Sequence, residues 1–325
     1  MTHNSPGIVF LCGFPSSGTD LLKNLMNANR EIYIGGEFPR LPALARHYGS
    51  TVPPESGNQA VKDIVASDVY GNLSHTELQQ KIAWPARFQD LYVDLLCPRV
   101  VRWTGNKTPQ NSENVDRLNA LFPEARFVLI VRDVRDVALS WRNKWGKDPV
   151  RCAERWNDRM LRARHLLNLH ARGRHLVVSY ERLIDDPLSA AKSICDFLGL
   201  EFDERMGRYH EFVTDNVAGK LNYGAPVIAT NKDKWRAALP PREIRRIEEI
   251  AWHAMREFGY EPAYGTEHRR INRIERARGL LRDAWAILAV GNRAMRDRSL
   301  GDLARAVRHE IAKRTGRFRT TRRGV

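Results

Sequence analysis

The chain has 325 residues, 42% of them hydrophobic, with eight Trp and four Cys. This suits one large α/β domain with an appendage. The scattered Cys12, Cys97, Cys152 and Cys195 lack metal-ligand spacing and read as reduced packing residues, and no uncharged apolar run reaches the roughly 18 residues of a membrane-spanning helix. The net charge of +15 is uneven, because Thr266 to Val325 hold 17 Lys/Arg against 6 Asp/Glu, leaving the main domain only mildly basic.

Ile8 to Cys12 reads as a buried strand, and Thr19 to Ala28 as a helix with Leu21, Leu22, Leu25 and Met26 at helical spacing. A short extended piece, Glu31 to Ile34, leads to Gly35-Gly36, and Pro39 to His47 reads as a helix. Gly49 to Gly57, with Pro53-Pro54, reads as a loop. Glu77 to Leu96 is mostly helical with a break at Pro85, Val100 to Thr104 is a strand, and Ser112 caps a helix running to Leu121. Arg126 to Val131 is the clearest buried strand. Val134 to Trp145 and Val150 to Ala171 are helices, His175 to Ser179 is a strand, and Pro187 to Leu198 is a helix ending at Gly199. Pro241 to Phe258 closes the main domain. Apolar strands alternating with helical patterns imply α/β architecture, a central parallel sheet flanked by helices. The expected division is residues 1–262 as the main domain and 263–325 as a basic helical tail.

In such sheets ligands sit at the carboxyl ends of the strands. Gly13-Phe14-Pro15-Ser16-Ser17-Gly18-Thr19 follows the first strand and opens a helix, the arrangement of a phosphate cradle built from backbone N–H groups and a helix N-terminus. The ATP-type loop reads G-x-x-x-x-G-K-[ST]. Here Thr19 stands where the lysine belongs, so the loop is either degenerate or built for another phosphate. Four more strand ends carry Glu37 and Arg40, Lys107, Arg132, and Tyr180. The helix after Arg132 adds Ser140.

This set resembles the sulfotransferases that use 3′-phosphoadenosine 5′-phosphosulfate (PAPS), a P-loop-like α/β family. Gly13 to Thr19 is similar to that family's loop for the 5′-phosphosulfate. Arg126-Phe-Val-Leu-Ile-Val-Arg-Asp-Val-Arg-Asp-Val-Ala-Leu-Ser140 is similar to its 3′-phosphate signature, in which a strand-end arginine and a serine eight residues later hold that phosphate. Val178 to Pro187, followed by Phe197-Leu-Gly199, resembles the segment that approaches the nucleotide and carries Tyr180. Lys232-Asp-Lys-Trp-Arg236, with Lys232 and Lys234, resembles the basic loop that closes over it. The resemblance spans about residues 7 to 258. It implies a P-loop-NTPase-like sulfotransferase fold with PAPS as donor, no required metal, and transfer of a sulfuryl group to a hydroxyl acceptor. A lost loop lysine then makes sense, because sulfuryl transfer can rely on amide and hydroxyl donors plus cations from other strand ends.

The family's cytosolic branch places a histidine base just after the equivalent of Lys107-Thr108. Here Pro109 and Gln110 follow, so that base is missing. Gly36-Glu37-Phe38-Pro39-Arg40 resembles the Gly-Glu…Pro-Arg region of tyrosylprotein and related sulfotransferases, which implies Glu37 as base, Lys107 as stabiliser of the leaving oxygen, and Arg40 toward the acceptor. Glycan, lipid-linked, small-molecule and tyrosine hydroxyls all stay open, and residues 38–100 and 205–230 are expected to shape their pocket. The ten histidines form no metal-spaced set; His47 and His75 fall in the region expected to flank an acceptor. Arg135 reads as a surface charge.

A small-molecule kinase and a non-enzymatic binder of anionic polymer or membrane are the competing readings. The first lacks the loop lysine and an acidic strand end for Mg²⁺. In the tail, arginine-rich Arg269 to Arg282 precedes apolar Ala284 to Val290, and Arg317 to Arg323 reads as disordered. Residues 269–323 suit an anionic membrane surface or docking of the apolar run on the main domain. No nucleic-acid recognition module is visible, and oligomeric state is not legible. With no leader pattern ahead of the first strand, the expectation is a cytoplasmic protein, peripheral at the inner membrane face.

Overall fold

The computed structural model describes residues 5–66, 84–97, 99–212 and 230–297. Strands β1 (Gly7–Gly13), β2 (Ile32–Gly35), β5 (Trp103–Asn106), β6 (Arg126–Val131) and β7 (His175–Ser179) form one sheet in the order β2-β5-β1-β6-β7. All four pairings are parallel. The carboxyl ends of all five strands therefore lie along one edge, with β1 at the centre.

Side chains alternate across a strand, and here both faces are covered. Phe10, Cys12, Phe127 and Leu129 face one apolar layer with α6 (Val134–Trp145), α7 (Pro149–His170) and α11 (Pro241–Glu257). Val9, Leu11, Val128 and Ile130 face the other, with α1 (Thr19–Asn27), α8 (Tyr180–Asp185) and α9 (Pro187–Leu198). This double burial is why β1 and β6 read as continuous apolar runs rather than alternating ones. Gly105 is required where β5 crosses β1, since a Cβ there would lie 1.8 Å from the Val9 carbonyl oxygen.

Three expectations shift. The Gly49–Gly57 stretch is not all loop: β3 (Thr51–Val52) pairs antiparallel with β4 (Ala86–Arg87), and α3 (Pro54–Val65) begins inside it. Pro54 is the first residue of that helix, where a missing N–H costs nothing, so the Pro-Pro pair starts an element rather than breaking one. β5 begins at Trp103, three residues later than expected, and Val100 is exposed. Ser112 does not cap a helix: it sits in a 3₁₀ turn, Pro109–Glu113, with its hydroxyl donating to the Pro109 carbonyl, and α5 (Val115–Leu121) follows. The break at Pro85 precedes α4 (Phe88–Leu96), while residues 77–83 lie outside the described residues.

α2 (Leu41–Tyr48) and α10 (Trp235–Ala238) complete the main body, and α12 (Arg273–Asp297) runs back over it. The link between α11 and α12 is strapped to α11: Glu248, fully buried, accepts from the backbone N–H groups of Ala263, Tyr264 and Gly265. The tail beyond residue 297, including Arg317 to Arg323, lies outside the described residues.

Candidate active site at the strand ends

The loop after β1 has the backbone its sequence suggests. Ser16 and Gly18 both take positive φ, 73° and 91°, turning successive N–H groups toward one concavity at the start of α1. Ser17 N–H closes the turn on the Phe14 carbonyl at 3.0 Å. The Ser16 and Ser17 hydroxyl oxygens are buried and unpartnered within the protein, as donors awaiting an anion would be. Gly18 cannot be replaced without cost, because a Cβ there would meet the Tyr180 ring at 2.4 Å. Phe14 is fully buried and stacks on Trp141, ring centroids 5.2 Å apart, so its side chain belongs to the core and only its backbone serves the loop.

Lys107 enters from the neighbouring strand. A parallel bridge to Leu11 and the bond from Lys107 N–H to the Gly35 carbonyl, 3.2 Å, carry it past the end of β5, between β1 and β2. Its Nζ lies 2.8 Å from Asp20 Oδ1 and 3.0 Å from Glu37 Oε1, with a side chain only 3% exposed. Burial works against the ammonium, but the charges of Asp20 and Glu37 outweigh it and hold the Lys107 pKa above the ordinary lysine value. A lysine ammonium thus stands beside the first turn of α1, carried there from the end of β5 and not by the loop itself.

Glu37 is placed by a polar relay. The Phe38 N–H donates to Thr108 Oγ1 at 2.7 Å, Thr108 Oγ1 donates to Asn106 Oδ1 at 2.8 Å, and Asn111 donates to the same oxygen at 2.9 Å. Asn106 in turn donates to the buried Tyr92 hydroxyl at 2.9 Å. Every member is buried, so the relay ties the loop after β2 to the end of β5. Arg40 sits at the start of α2, close enough for its charge to act on the Tyr48 hydroxyl, whose pKa rises mainly through burial and the bond to Asp63. His47 is exposed and lies edge-on to Tyr48; His75 lies outside the described residues.

On the other side of the loop, Arg132 projects from the end of β6. Its guanidinium donates to the Ser16 carbonyl at 3.1 Å and to the Asn231 carbonyl at 2.8 Å, and lies 4.3 Å from the centre of the Tyr180 ring. Its Nε is buried with no partner within the protein. Tyr180 is held in turn by Asn231, which donates to its hydroxyl at 2.6 Å. Tyr180 is therefore a buried floor beneath Arg132 and against Gly18. Asp136, one turn into α6, brings Oδ2 to 4.0 Å from Arg132. Burial pushes the Asp136 carboxyl up to about 6, with Arg132 pulling the other way.

Ser140 follows Asp136 by four residues and is half-buried on the same side of α6. Lys144 follows by another four. The residue is exposed, and desolvation and the charge of Arg132 lower its pKa while Asp20 raises it. Sequence reasoning passed over Lys144, Asp20 and Asn231, although the four-residue spacing from Ser140 was a usable signal for the first. Lys232 is engaged with Asp185, and Lys234 is exposed at the start of α10.

Arg135 corrects its expectation. Its guanidinium is 5% exposed, donates to Asp133 and Glu248, each at 2.6 Å, and lies 3.9 Å from the Trp235 ring centre. The helix start that presents Arg132 outward therefore buries Arg135 as an anchor to α11. A second strap links the ends of β6 and β7, where Glu181 accepts from the Asp133 N–H, the Ser179 hydroxyl and the Tyr260 hydroxyl.

Two charged clusters thus flank one loop: Lys107 with Asp20 and Glu37 on the β5 side, and Arg132 with Asp136 on the β6 side. A cavity of about 400 Å³ elsewhere, beside His253 and His268, is lined by none of these residues.

Comparison with known proteins gives the same answer from sequence and fold. A putative protein-tyrosine sulfotransferase of Caenorhabditis elegans is 30% identical over 243 residues, covering 71% of this chain and 87% of that protein. One from Caenorhabditis briggsae is 26% identical over 220 residues, covering 66% and 72%. The sulfotransferase domain of the Synechococcus PCC 7002 olefin synthase superposes with a TM-score of 0.57 at 21% identity, over 80% of this chain and 98% of that one. The family model described as "Sulfotransferase family" matches residues 6–204, the span that contains the loop, Glu37, Lys107, Arg132 and Ser140. The chain belongs to the sulfotransferase family, and its enzymatic class is sulfuryl transfer.

Proposed function

We propose that this enzyme moves the sulfuryl group of PAPS to the hydroxyl of an acceptor, with Glu37 as the base. The observation that carries the reading is the Lys107 ammonium, buried within 3.0 Å of Glu37 and 2.8 Å of Asp20 at the start of the loop helix. Glu37 takes the acceptor's O–H proton as that oxygen bonds to sulfur. The bond from sulfur to the 5′-phosphate oxygen breaks, and the electron pair leaves with adenosine 3′,5′-bisphosphate. Lys107 and the loop N–H groups stabilise the charge that develops on the leaving oxygen. The loop Gly13, Phe14, Pro15, Ser16, Ser17, Gly18 and Thr19 holds the 5′-phosphosulfate. Arg132 and Ser140 hold the 3′-phosphate, with Lys144 adding a cation on the same helix face. Lys232 and Lys234 close over the nucleotide, and Tyr180 supports Arg132 from below.

Asp20 balances Lys107 before the donor arrives and yields that contact to the incoming phosphate. Arg40 orients Glu37 or the acceptor. These side-chain cations supply the positive charge, and the proposed step invokes no metal.

The acceptor class is a hydroxyl on a glycan, a lipid-linked glycan, a small molecule or tyrosine. Relatives named as protein-tyrosine sulfotransferases support the phenolic hydroxyl among these. Residues 38–100 and 205–230 are assigned to its pocket, of which 67–83, 98 and 213–229 lie outside the described residues. We also assign residues 1–262 to the transferase domain and 263–325 to a basic extension, in a cytoplasmic protein peripheral to the inner membrane face; the excess of Lys and Arg after residue 265 supports that placement.

The test is thermal shift with adenosine 3′,5′-bisphosphate against ATP–Mg²⁺, followed by transfer of labelled sulfuryl groups from PAPS. Stabilisation by the bisphosphate and loss of turnover in Glu37→Gln with nucleotide binding retained are expected. Near-normal turnover in Glu37→Gln removes the base assignment, and stabilisation by ATP–Mg²⁺ alone removes the donor.

A further inference from the structure

Helix α12 is amphipathic in the wrong direction for a docked helix. It meets the main domain through ions and small residues. Glu275 accepts from Arg246 at 2.7 Å, Arg276 pairs with Glu154, Arg282 lies 3.3 Å from Asp148, and Asp283 pairs with Arg151 while accepting from the Asp148 N–H. Gly279 sits against the Arg151 side chain, where a Cβ would come within 2.4 Å of its Cδ, and Ala286 covers Gly146. These positions form one side of the helix. The other side carries Ile274, Leu281 and Trp285, which are 65%, 64% and 72% exposed, with Leu280 at 51% beside them. Positions 274, 278, 281 and 285 recur at spacings of four, three and four and so make one stripe. Arg278 interrupts that stripe, and Arg270 and Arg273 stand exposed at its start.

From this we infer that the outward face of α12 is a lipid-facing element: Ile274, Leu281 and Trp285 enter an anionic bilayer surface at headgroup depth, while Arg270, Arg273 and Arg278 meet acidic headgroups. The inference rests on the peripheral placement proposed above and names its contact. Three observations choose lipid over the other occupants. Exposed apolar residues on an ordered helix cost free energy unless something covers them. The stripe is interleaved with arginine and carries tryptophan, the composition that lies in a membrane interface. A two-fold pairing centred on this stripe would bring Arg278, near its middle, against its own symmetry mate, a like-charge contact that opposes self-association. Among the described residues no helix is long and apolar enough to cross a bilayer, so the contact is a surface one. The ionic seam beneath α12 holds the stripe outward, in fixed relation to the β-strand ends that carry the active site.

The experiment is co-sedimentation of the full chain with vesicles of phosphatidylcholine alone or with roughly a third phosphatidylglycerol, comparing wild type with Leu281→Glu and Trp285→Ala. Both positions are solvent-exposed, and transfer to a soluble acceptor serves as the folding control. Binding to the anionic vesicles that weakens at high salt and falls roughly tenfold or more in each variant, with solution activity kept, is the expected result. Anionic-vesicle binding that neither variant changes overturns the α12 assignment and leaves the peripheral placement standing. Absence of vesicle binding overturns both. A concentration-dependent dimer in analytical ultracentrifugation, lost in Leu281→Glu, would assign the face to a second copy instead.

Discussion

Lys107→Met is the sharpest perturbation of the proposed mechanism. The substitution keeps the length and apolar stem of the side chain but removes an ammonium that is 3% exposed and lies 2.8 Å from Asp20 and 3.0 Å from Glu37. Two effects separate. For stability, Asp20 and Glu37 retain 33% and 19% side-chain exposure, so both can rehydrate, and the cost stays near 1–2 kcal/mol rather than the larger penalty of a sealed pair. For catalysis, the lost cation is the one aimed at the leaving oxygen, and removing a preorganised donor of that kind costs about 3–4 kcal/mol, or 10²–10³ in kcat. The assay is sulfuryl transfer from PAPS with kcat and KM resolved across pH, beside calorimetric affinity for adenosine 3′,5′-bisphosphate. A fall of 10²–10³ in kcat with bisphosphate affinity reduced less than about tenfold fits the reasoning. A kcat within about fivefold of wild type would refute it.

Three more outcomes are expected. Gly18→Ala forces an L-residue to a φ of 91° and drives a Cβ to 2.4 Å from the Tyr180 ring; strain of about 1–2 kcal/mol plus displacement of Tyr180 beneath Arg132 should lower bisphosphate affinity by roughly tenfold or more, read by calorimetry, and unchanged affinity counts against the Gly18–Tyr180–Arg132 stack. Arg135→Met strands Asp133 and the fully buried Glu248, so urea unfolding should show a loss of about 3–5 kcal/mol, and a loss under about 1 kcal/mol would deny the anchor role. Asp136 has a native pKa pushed up to about 6 from 3.8, so between those values the native state keeps a proton that the unfolded chain has lost. Its contribution to stability is fully present below about pH 4 and is lost as pH rises through about 6. Asp136→Asn should therefore gain stability relative to wild type on going from about pH 4 to about pH 8, by up to about 3 kcal/mol, and an equal difference at both pH values would contradict the burial that raises the group.

Local signals in this chain were readable where chemistry and conformation coincide. The loop was legible because glycine, serine and a helix start in a row have few other uses, and β6 because six apolar or stem-buried residues precede Arg132-Asp133. Motif and register pointed to Arg132, Ser140 and Lys107, and the structure brings Arg132 and Lys107 to the two sides of that loop. The second half of the reading misplaced what depends on neighbours. Pro53-Pro54 looked like an interruption, yet α3 starts there because proline suits a first helical turn and the helix packs on α2 and α4. Val100 looked like strand but lies outside the sheet, since the register of β5 is set by β1 and β2, with Gly105 under the Val9 carbonyl. Arg135 looked like surface because nothing near it in sequence shows Glu248, 113 residues away, waiting to pair with it.

The amino-acid order alone determined the strand–loop–helix unit and the absence of a loop lysine, because those rest on residues adjacent in the chain, while the class of chemistry followed from motifs spread over several strand ends. Only the tertiary structure decided which carboxylates share the Lys107 ammonium. Strand order is a long-range choice: placing β5 between β1 and β2 brings Lys107, Asp20 and Glu37 together from three separate segments, and no local propensity encodes that adjacency.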